Sequence, residues 1–182
     1  MNFDIKKLLP HVIAIVAFIA IALTYFSPVL EGKELKQGDI VNFKGMSKEI
    51  VDHREVYEEE PLWTNSMFGG MPAFQISTIY SGNIIRYVDK VLRLGIPRPA
   101  SYVILYMLGF YILMLSLGVN PWVGLIGSIG FGFSSYFFII LEAGHNSKAH
   151  AIAYMAPVLA GVILTYRGKE WLGMGLTALA FA

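Results

Sequence analysis

A short polar segment, Glu142 to His150, interrupts the most apolar half of the sequence. It reads Glu-Ala-Gly-His-Asn-Ser-Lys-Ala-His, and Asp, Glu, Lys and Arg are absent from residues 99–141 and from residues 151–166. An acid, two histidines, an amide and a lysine therefore occur together between two apolar runs. Ionisable side chains at membrane depth are costly to bury, so this segment indicates a functional site.

The side chains of the segment suit two kinds of chemistry. Glu142 and His145 offer oxygen and imidazole ligands for a divalent metal such as Mg²⁺ or Mn²⁺, with His150 and Asp39 as further donors. Lys148 and a protonated histidine would instead bind a phosphate. A plain polar turn between two helices is an equally simple interpretation of the spacing. The candidate substrate- or phosphate-binding residues are Glu142, His145, Asn146, Lys148 and His150.

A separate carboxylate, Asp39, is the candidate catalytic residue. It stands in Gln37-Gly38-Asp39-Ile40, shortly after the first apolar run, and should therefore lie near the bilayer surface. A carboxylate there is able to act as general base on an acceptor hydroxyl. From spacing alone, an ordinary solvated aspartate is the simpler interpretation.

Composition places the chain among membrane proteins. The 182 residues are 55% hydrophobic and 15% charged, and the mean hydropathy is +0.57. The net charge of +1 gives no reason to expect a nucleic-acid partner. With no cysteine, disulfide and thiolate chemistry are excluded, so catalysis would depend on carboxylates and histidines.

The N-terminal apolar run, Leu8 to Leu30, predicts a retained transmembrane helix. It exceeds the ~7–15 residues of a signal-peptide core and matches the ~20 residues that span a bilayer. Lys6 and Lys7 before it favour a cytoplasmic N-terminus. Residues 1–30 are thus the predicted cytoplasmic N-terminus and first span, and the charged residues 31–98 are the predicted extracytoplasmic loop.

Within that loop, the sequence predicts a helix over residues 46–60, with Ser47 as a candidate N-cap, and an ordered interfacial loop over residues 61–74. An amphipathic helix over residues 83–94 is expected to lie in the membrane interface.

Residues 99–182 predict transmembrane helices two to four and the start of a fifth. Counting spans from a cytoplasmic N-terminus puts the Glu142–His150 segment outside, on the same side of the membrane as Asp39. The predicted fold is therefore an all-α polytopic membrane protein with juxtamembrane helices in a long first loop, and we expect the chain to be the N-terminal part of a longer protein. The predicted spans are residues 101–117, 122–141 and 151–166, with a fifth beginning at residue 171.

Three segments, in this order, resemble the N-terminal part of the bacterial YfhO-like membrane proteins. They are Pro61-Leu-Trp-Thr-Asn-Ser-Met-Phe-Gly-Gly-Met-Pro72, Phe131-Gly-Phe-Ser-Ser-Tyr136 and the polar segment from Glu142 to His150. That family is similar to the GT-C glycosyltransferases, which take a sugar from a polyprenyl-phosphate donor on the outer side of the membrane. The resemblance implies a GT-C-like helical bundle in the bacterial inner (cytoplasmic) membrane and a cell-envelope glycopolymer as acceptor.

The resemblance also implies roles for individual residues. An acidic residue early in the first outer loop is the catalytic base of GT-C enzymes, and the matching position is Asp39. Acidic or metal-binding residues of the second outer loop correspond to Glu142, with His145 nearby. Many GT-C enzymes carry an adjacent acidic pair at the first position, whereas Gly38 and Ile40 flank Asp39, so Glu31 or Glu34 is a candidate assistant.

Two other functions are compatible with the sequence. The glycine-rich and proline-containing apolar runs beside a polar site suit a transporter or flippase for an envelope precursor. A non-catalytic envelope assembly factor, with the first loop binding a partner protein, is the third hypothesis.

Overall fold

A computed structural model describes residues 5–181, which form nine α-helices, one short β-hairpin and a 3₁₀ turn at residues 73–75. The chain is mostly helical, as the all-α prediction requires. The first four residues of the predicted cytoplasmic N-terminus and Ala182 lie outside the described residues. The helices are α1 (Ile5–Tyr25), α2 (Ser27–Leu30), α3 (Gly38–Tyr57), α4 (Arg86–Leu92), α5 (Ala100–Ser116), α6 (Pro121–Gly132), α7 (Ser135–Ala143), α8 (Asn146–Tyr166) and α9 (Glu170–Phe181).

Within residues 5–181, two helices are long and apolar enough to cross a membrane, namely α1 from Lys6 to Tyr25 and α8. The α6–α7 pair meets the same criterion only when its two helices are taken together, and α5 is a shorter apolar helix. Large apolar side chains such as Leu8, Leu9 and Val16 are at least half exposed along α1. Exposed apolar side chains of this kind are expected on a helix that lipid surrounds.

The predicted third span is divided. Its two parts, α6 and α7, meet at an angle of 42° around Phe133 and Ser134. Ser134 has φ −59° and ψ 130°, which is not helical, and precedes the first residue of α7. The nearby Gly132 contacts α5 closely, since a Cβ there would lie 2.5 Å from Met107 Cγ.

The core of the bundle lies where α1, α5, α6, α7 and α8 meet. Phe18 of α1 packs edge-on against Tyr111 of α5, with ring centroids 5.8 Å apart. Tyr106 of α5 is fully buried and its hydroxyl donates to the Ala149 carbonyl of α8 at 3.0 Å. A buried hydroxyl needs such a partner, so this bond fixes α8 relative to α5.

In the first loop, α3 begins at Gly38 rather than at the predicted Met46, so Asp39 lies in a helical first turn. An acidic side chain is favourable there because the N-terminus of a helix carries partial positive charge. The predicted helix over residues 83–94 is reduced to α4.

The predicted interfacial loop forms a hairpin, β1 (Trp63–Thr64) paired antiparallel with β2 (Met71–Pro72), that docks on α3. Glu49 of α3 holds this hairpin because it accepts from the Thr64 hydroxyl at 2.6 Å and from the Asn65 N–H at 3.0 Å. The Thr64 hydrogen bond is the main reason that the pKa of Glu49 is lowered.

Candidate functional site

The first turn of α3 and the start of α8 bring Asp39 and His145 together. Asp39 Oδ2 lies 3.3 Å from His145 Nδ1, and each side chain is 53% exposed. This distance is a little longer than an N–H···O hydrogen bond normally is, and such contacts often shorten when a substrate binds. The pair joins the predicted catalytic base to a predicted phosphate-binding residue, and both groups are open to a ligand.

Gly144 sets the distance between the two segments. It ends α7 with φ +100°, in the left-handed region that favours glycine. A Cβ at this position would lie 3.1 Å from Gln37 Cβ and 3.2 Å from Asp39 Cβ. Glycine is therefore favoured here for two reasons, the left-handed φ and the close packing of this turn on the start of α3.

A pair of amides holds the same two segments beside the Asp39–His145 contact. The Nε2 of Gln37 donates to Asn146 Oδ1 at 3.3 Å, and the Nδ2 of Asn146 donates to Gln37 Oε1 at 3.1 Å. Gln37 Nε2 also donates to the carbonyl of Leu141. Asn146, a predicted phosphate-binding residue, thus has a structural partner, and Gln37 is a site residue that the sequence analysis did not single out.

Two other predicted residues remain accessible. Glu142 is exposed in the last turn of α7 and makes no hydrogen bond or ion pair within residues 5–181. Lys148 is exposed in the first turn of α8, and its ammonium nitrogen lies 5.2 Å from the centre of the Tyr136 ring. A cation–π contact of this kind is weak at an exposed site, so the Lys148 ammonium is free to bind an anion.

His150 belongs to a different cluster. Its Nε2 lies 2.6 Å from Asp89 Oδ1 in α4, where it donates a hydrogen bond. The Glu142–His150 segment is therefore divided, because His145 contacts α3 whereas His150 contacts α4. The two histidines do not form one ligand set, in contrast to the metal hypothesis that combined them.

Asp89 is the centre of this second cluster and was missed as a site residue by the sequence analysis. The Tyr154 hydroxyl donates to Asp89 Oδ1 at 2.9 Å, and Arg93 Nη2 forms an ion pair with Oδ2 at 2.6 Å. Burial alone would raise the pKa of Asp89. The hydrogen bonds from His150 and Tyr154 and the charge of Arg93 outweigh burial and lower that pKa.

The described residues supply few metal ligands at the Asp39–His145 contact. Within residues 5–181, no group of three or more His, Asp or Glu side chains is placed to hold a metal ion. Asp39 and His145 provide two donors, and His150 is engaged by Asp89. The predicted metal, with Glu142 and His145 as its ligands, stays a prediction, and the mechanism proposed below does not use it.

An apolar groove of about 990 Å³ opens beside the Asp89 cluster, between α4, α5, α8 and α9. Aliphatic side chains form most of its wall, among them Leu105, Ile112 and Val158. The polar side chains Arg86, Asp89 and His150 border its end at α4. A cavity of this size with a few polar groups at one end is typical of a binding site for a mainly apolar ligand.

Comparison of the chain with models of protein families, with curated proteins and with solved structures found no match.

Proposed function

We propose that the chain is a YfhO-like membrane protein of the GT-C type that transfers a sugar from a polyprenyl-phosphate donor to a cell-envelope glycopolymer. The transfer would take place at the outer face of the bacterial cytoplasmic membrane. The observation that carries the proposal is the contact of 3.3 Å between Asp39 and His145. The resemblance implies that Asp39 is the catalytic base, and the polar segment makes His145 a candidate substrate- or phosphate-binding residue. The two come from separate parts of the chain.

In this proposal Asp39 and His145 act as one acid–base unit. Asp39 accepts from His145 Nδ1–H, which fixes the ring and leaves Nε2 to take a proton. The acceptor hydroxyl loses its proton to this unit as its oxygen attacks the anomeric carbon. The bond between that carbon and the phosphate oxygen breaks with its electron pair, so the lipid phosphate departs and the sugar is transferred with inversion.

The departing phosphate needs positive charge close to its oxygens. Lys148 supplies an ammonium group in the first turn of α8, and the N-terminal N–H groups of that helix add partial positive charge. Both are adjacent in sequence to His145. The proposal therefore assigns the phosphate to the start of α8 and the acceptor hydroxyl to the Asp39–His145 unit.

The test is transfer of a radiolabelled sugar from polyprenyl phosphate to an acceptor glycan by the purified full-length protein in detergent. Loss of general base catalysis lowers a rate by about 10²–10⁴-fold, so we expect an effect of that size in Asp39→Asn. Asp52→Asn is the matched control because Asp52 lies on the same helix, is exposed and, among residues 5–181, pairs only with Lys48. Undiminished transfer by both Asp39→Asn and His145→Gln would remove the pair from the mechanism.

A transporter or flippase for an envelope precursor is the second candidate, and the apolar groove with polar groups at one end favours it. Detergent solution separates the two functions because it contains no membrane to cross. Sugar transfer there supports the enzyme. Movement of a labelled precursor across vesicles, with no transfer in detergent, supports the transporter instead.

A further inference from the structure

We propose that the groove between α4, α5, α8 and α9 binds one anionic phospholipid of the bilayer as a resident ligand. The lipid chain would lie along α8 and the phosphate of the headgroup would lie at Arg86. This proposal requires only that α8 lies in a membrane, and it holds whether or not the chain transfers a sugar.

The wall of the groove selects an apolar chain. It runs along α8, one of the two helices that are long and apolar enough to span a bilayer, and continues onto α5 and α9. Water has no hydrogen-bond partners along such a wall, and the surrounding solvent is hydrocarbon. The side chains that would contact the lipid chain are Leu105, Leu108, Ile112, Val158, Leu159 and Leu179.

The α4 end of the groove selects negative charge. Arg86 borders the groove and is exposed, and its guanidinium contacts only the hydroxyl and ring of Tyr87 within the described chain. It has no carboxylate partner among residues 5–181. Since the Arg93 ion pair at 2.6 Å balances the Asp89 carboxylate, this end of the groove keeps one uncompensated positive charge.

The hydrogen bonds around Asp89 add to this selectivity. His150 and Tyr154 both donate to Asp89 Oδ1, and Arg93 holds Oδ2. Three donors thus engage the carboxylate, and only 13% of its side chain is exposed. Arg86 is then the charged group at this end of the groove with donors to spare, and a guanidinium pairs well with a phosphate.

The lining of the groove favours a bilayer lipid over the sugar donor. Neither Asp39 nor His145 lines the groove. His145 reaches α3 at the start of α8, whereas the groove begins at His150 and extends along α8 away from that start. The groove therefore shares no lining residue with the Asp39–His145 contact, as expected of a lipid that takes no part in the transfer.

The test is native mass spectrometry of the chain after reconstitution in vesicles of equal parts phosphatidylglycerol and phosphatidylcholine. We expect one phosphatidylglycerol to be retained per chain. A basic side chain near an anionic membrane contributes about fivefold in affinity, so Arg86→Gln should lower that retention by about fivefold. Lys90 is an exposed lysine of α4 that does not line the groove, so Lys90→Gln should retain as much lipid as the unsubstituted protein does.

A second pair of variants tests whether the apolar chain of the lipid lies in the groove. Ala151 is exposed and lines the groove, so Ala151→Trp should block it without overpacking the core, and the lipid should be lost. Ile126→Trp, at an exposed position on α6 outside the groove, should keep it. Three results would overturn the proposal. The first is equal retention of the two phospholipids, and the second is unchanged retention of phosphatidylglycerol by Ala151→Trp. The third is displacement of phosphatidylglycerol by an equal amount of polyprenyl phosphate.

Discussion

Gly144 packs directly on Asp39, since a Cβ placed on Gly144 would lie 3.2 Å from Asp39 Cβ. The turn before α8 and the first turn of α3 are thus in contact at the proposed reaction centre. The position of His145 relative to Asp39 depends on this contact, because His145 is the next residue in the chain.

We predict that Gly144→Ala lowers the stability of the chain by about 1–3 kcal/mol, because a left-handed φ is unfavourable for alanine and the added methyl group crowds Gln37 and Asp39. Thermal unfolding in detergent measures the loss. Gly38→Ala is the control, since a Cβ there has no atom within 4 Å and its φ is not positive. A Gly144→Ala protein as stable as Gly38→Ala would contradict the packing described above.

Asp39 and His145 should behave as one unit in a transfer assay. Asp39→Asn and His145→Gln each remove the unit, so the double variant should be no slower than the slower single variant. Rates of the three variants in one double-mutant cycle provide the measurement. Losses that multiply in the double variant would mean that the two groups act independently.

Acid should release α4 from α8. The lowered pKa of Asp89 means that its ionised form stabilises the fold above the unfolded-state pKa of about 3.9, and that this stabilisation disappears as pH falls through the lower folded-state pKa. The protection factors of the amides in residues 86–92, which are corrected for the pH dependence of intrinsic exchange, should be the same at pH 7 and pH 5 and should fall below about pH 4. Asp89→Asn should lower these protection factors at pH 7 as well, through a loss of about 1.5–3 kcal/mol.

The exposed ion pair between Asp52 and Lys48 provides the comparison for Asp89. Asp52→Asn should change stability much less than Asp89→Asn does, because solvent screens an exposed pair within one helix. If both variants had the same small effect, the Asp89 cluster would not be what holds α4 in place.

The crossing of α5 and α8 depends on Gly109. A Cβ there would lie 2.8 Å from the Ala153 carbonyl oxygen and 2.9 Å from Pro157 Cδ, so Gly109→Ala should destabilise the bundle by about 1–3 kcal/mol. Gly130→Ala, in a helix with open space around its Cβ position, should have no such effect. Thermal unfolding of the two variants side by side decides the matter, and equal midpoints would contradict a tight crossing.

The lengths of two apolar runs in the sequence predicted α1 and α8. A helix that faces lipid would depend on few contacts with the rest of the chain, so run length alone was enough to predict it. The start of α3 was not predicted, since Gly38, Asn42 and Gly45 are poor helix formers and only Asp39 in the first turn favours a helix there. The division between α6 and α7 left a signal in Gly130, Gly132 and Ser134 that the single-span interpretation did not use.

The two polar clusters differ in how far the sequence could predict them. Asp39 and His145 were singled out individually because each is a polar group beside an apolar run. The Asp89–His150 hydrogen bond was not foreseen, because the pattern within α4 shows only that Asp89 lies on the polar side of the helix. The periodicity within a helix does not show which distant helix it contacts. The contact between Asp89 and His150 could therefore be found only in the structure.

The division between α6 and α7 makes this pair of helices dependent on α5. At ~1.5 Å per residue, neither helix alone reaches across a hydrocarbon core of ~30 Å, so in a bilayer the two would have to span it together. Irregular backbone inside a bilayer is stable only where protein covers it, and Met107 of α5 is the side chain against Gly132, beside the break. In a bilayer, the α6–α7 pair would therefore need α5 beside it.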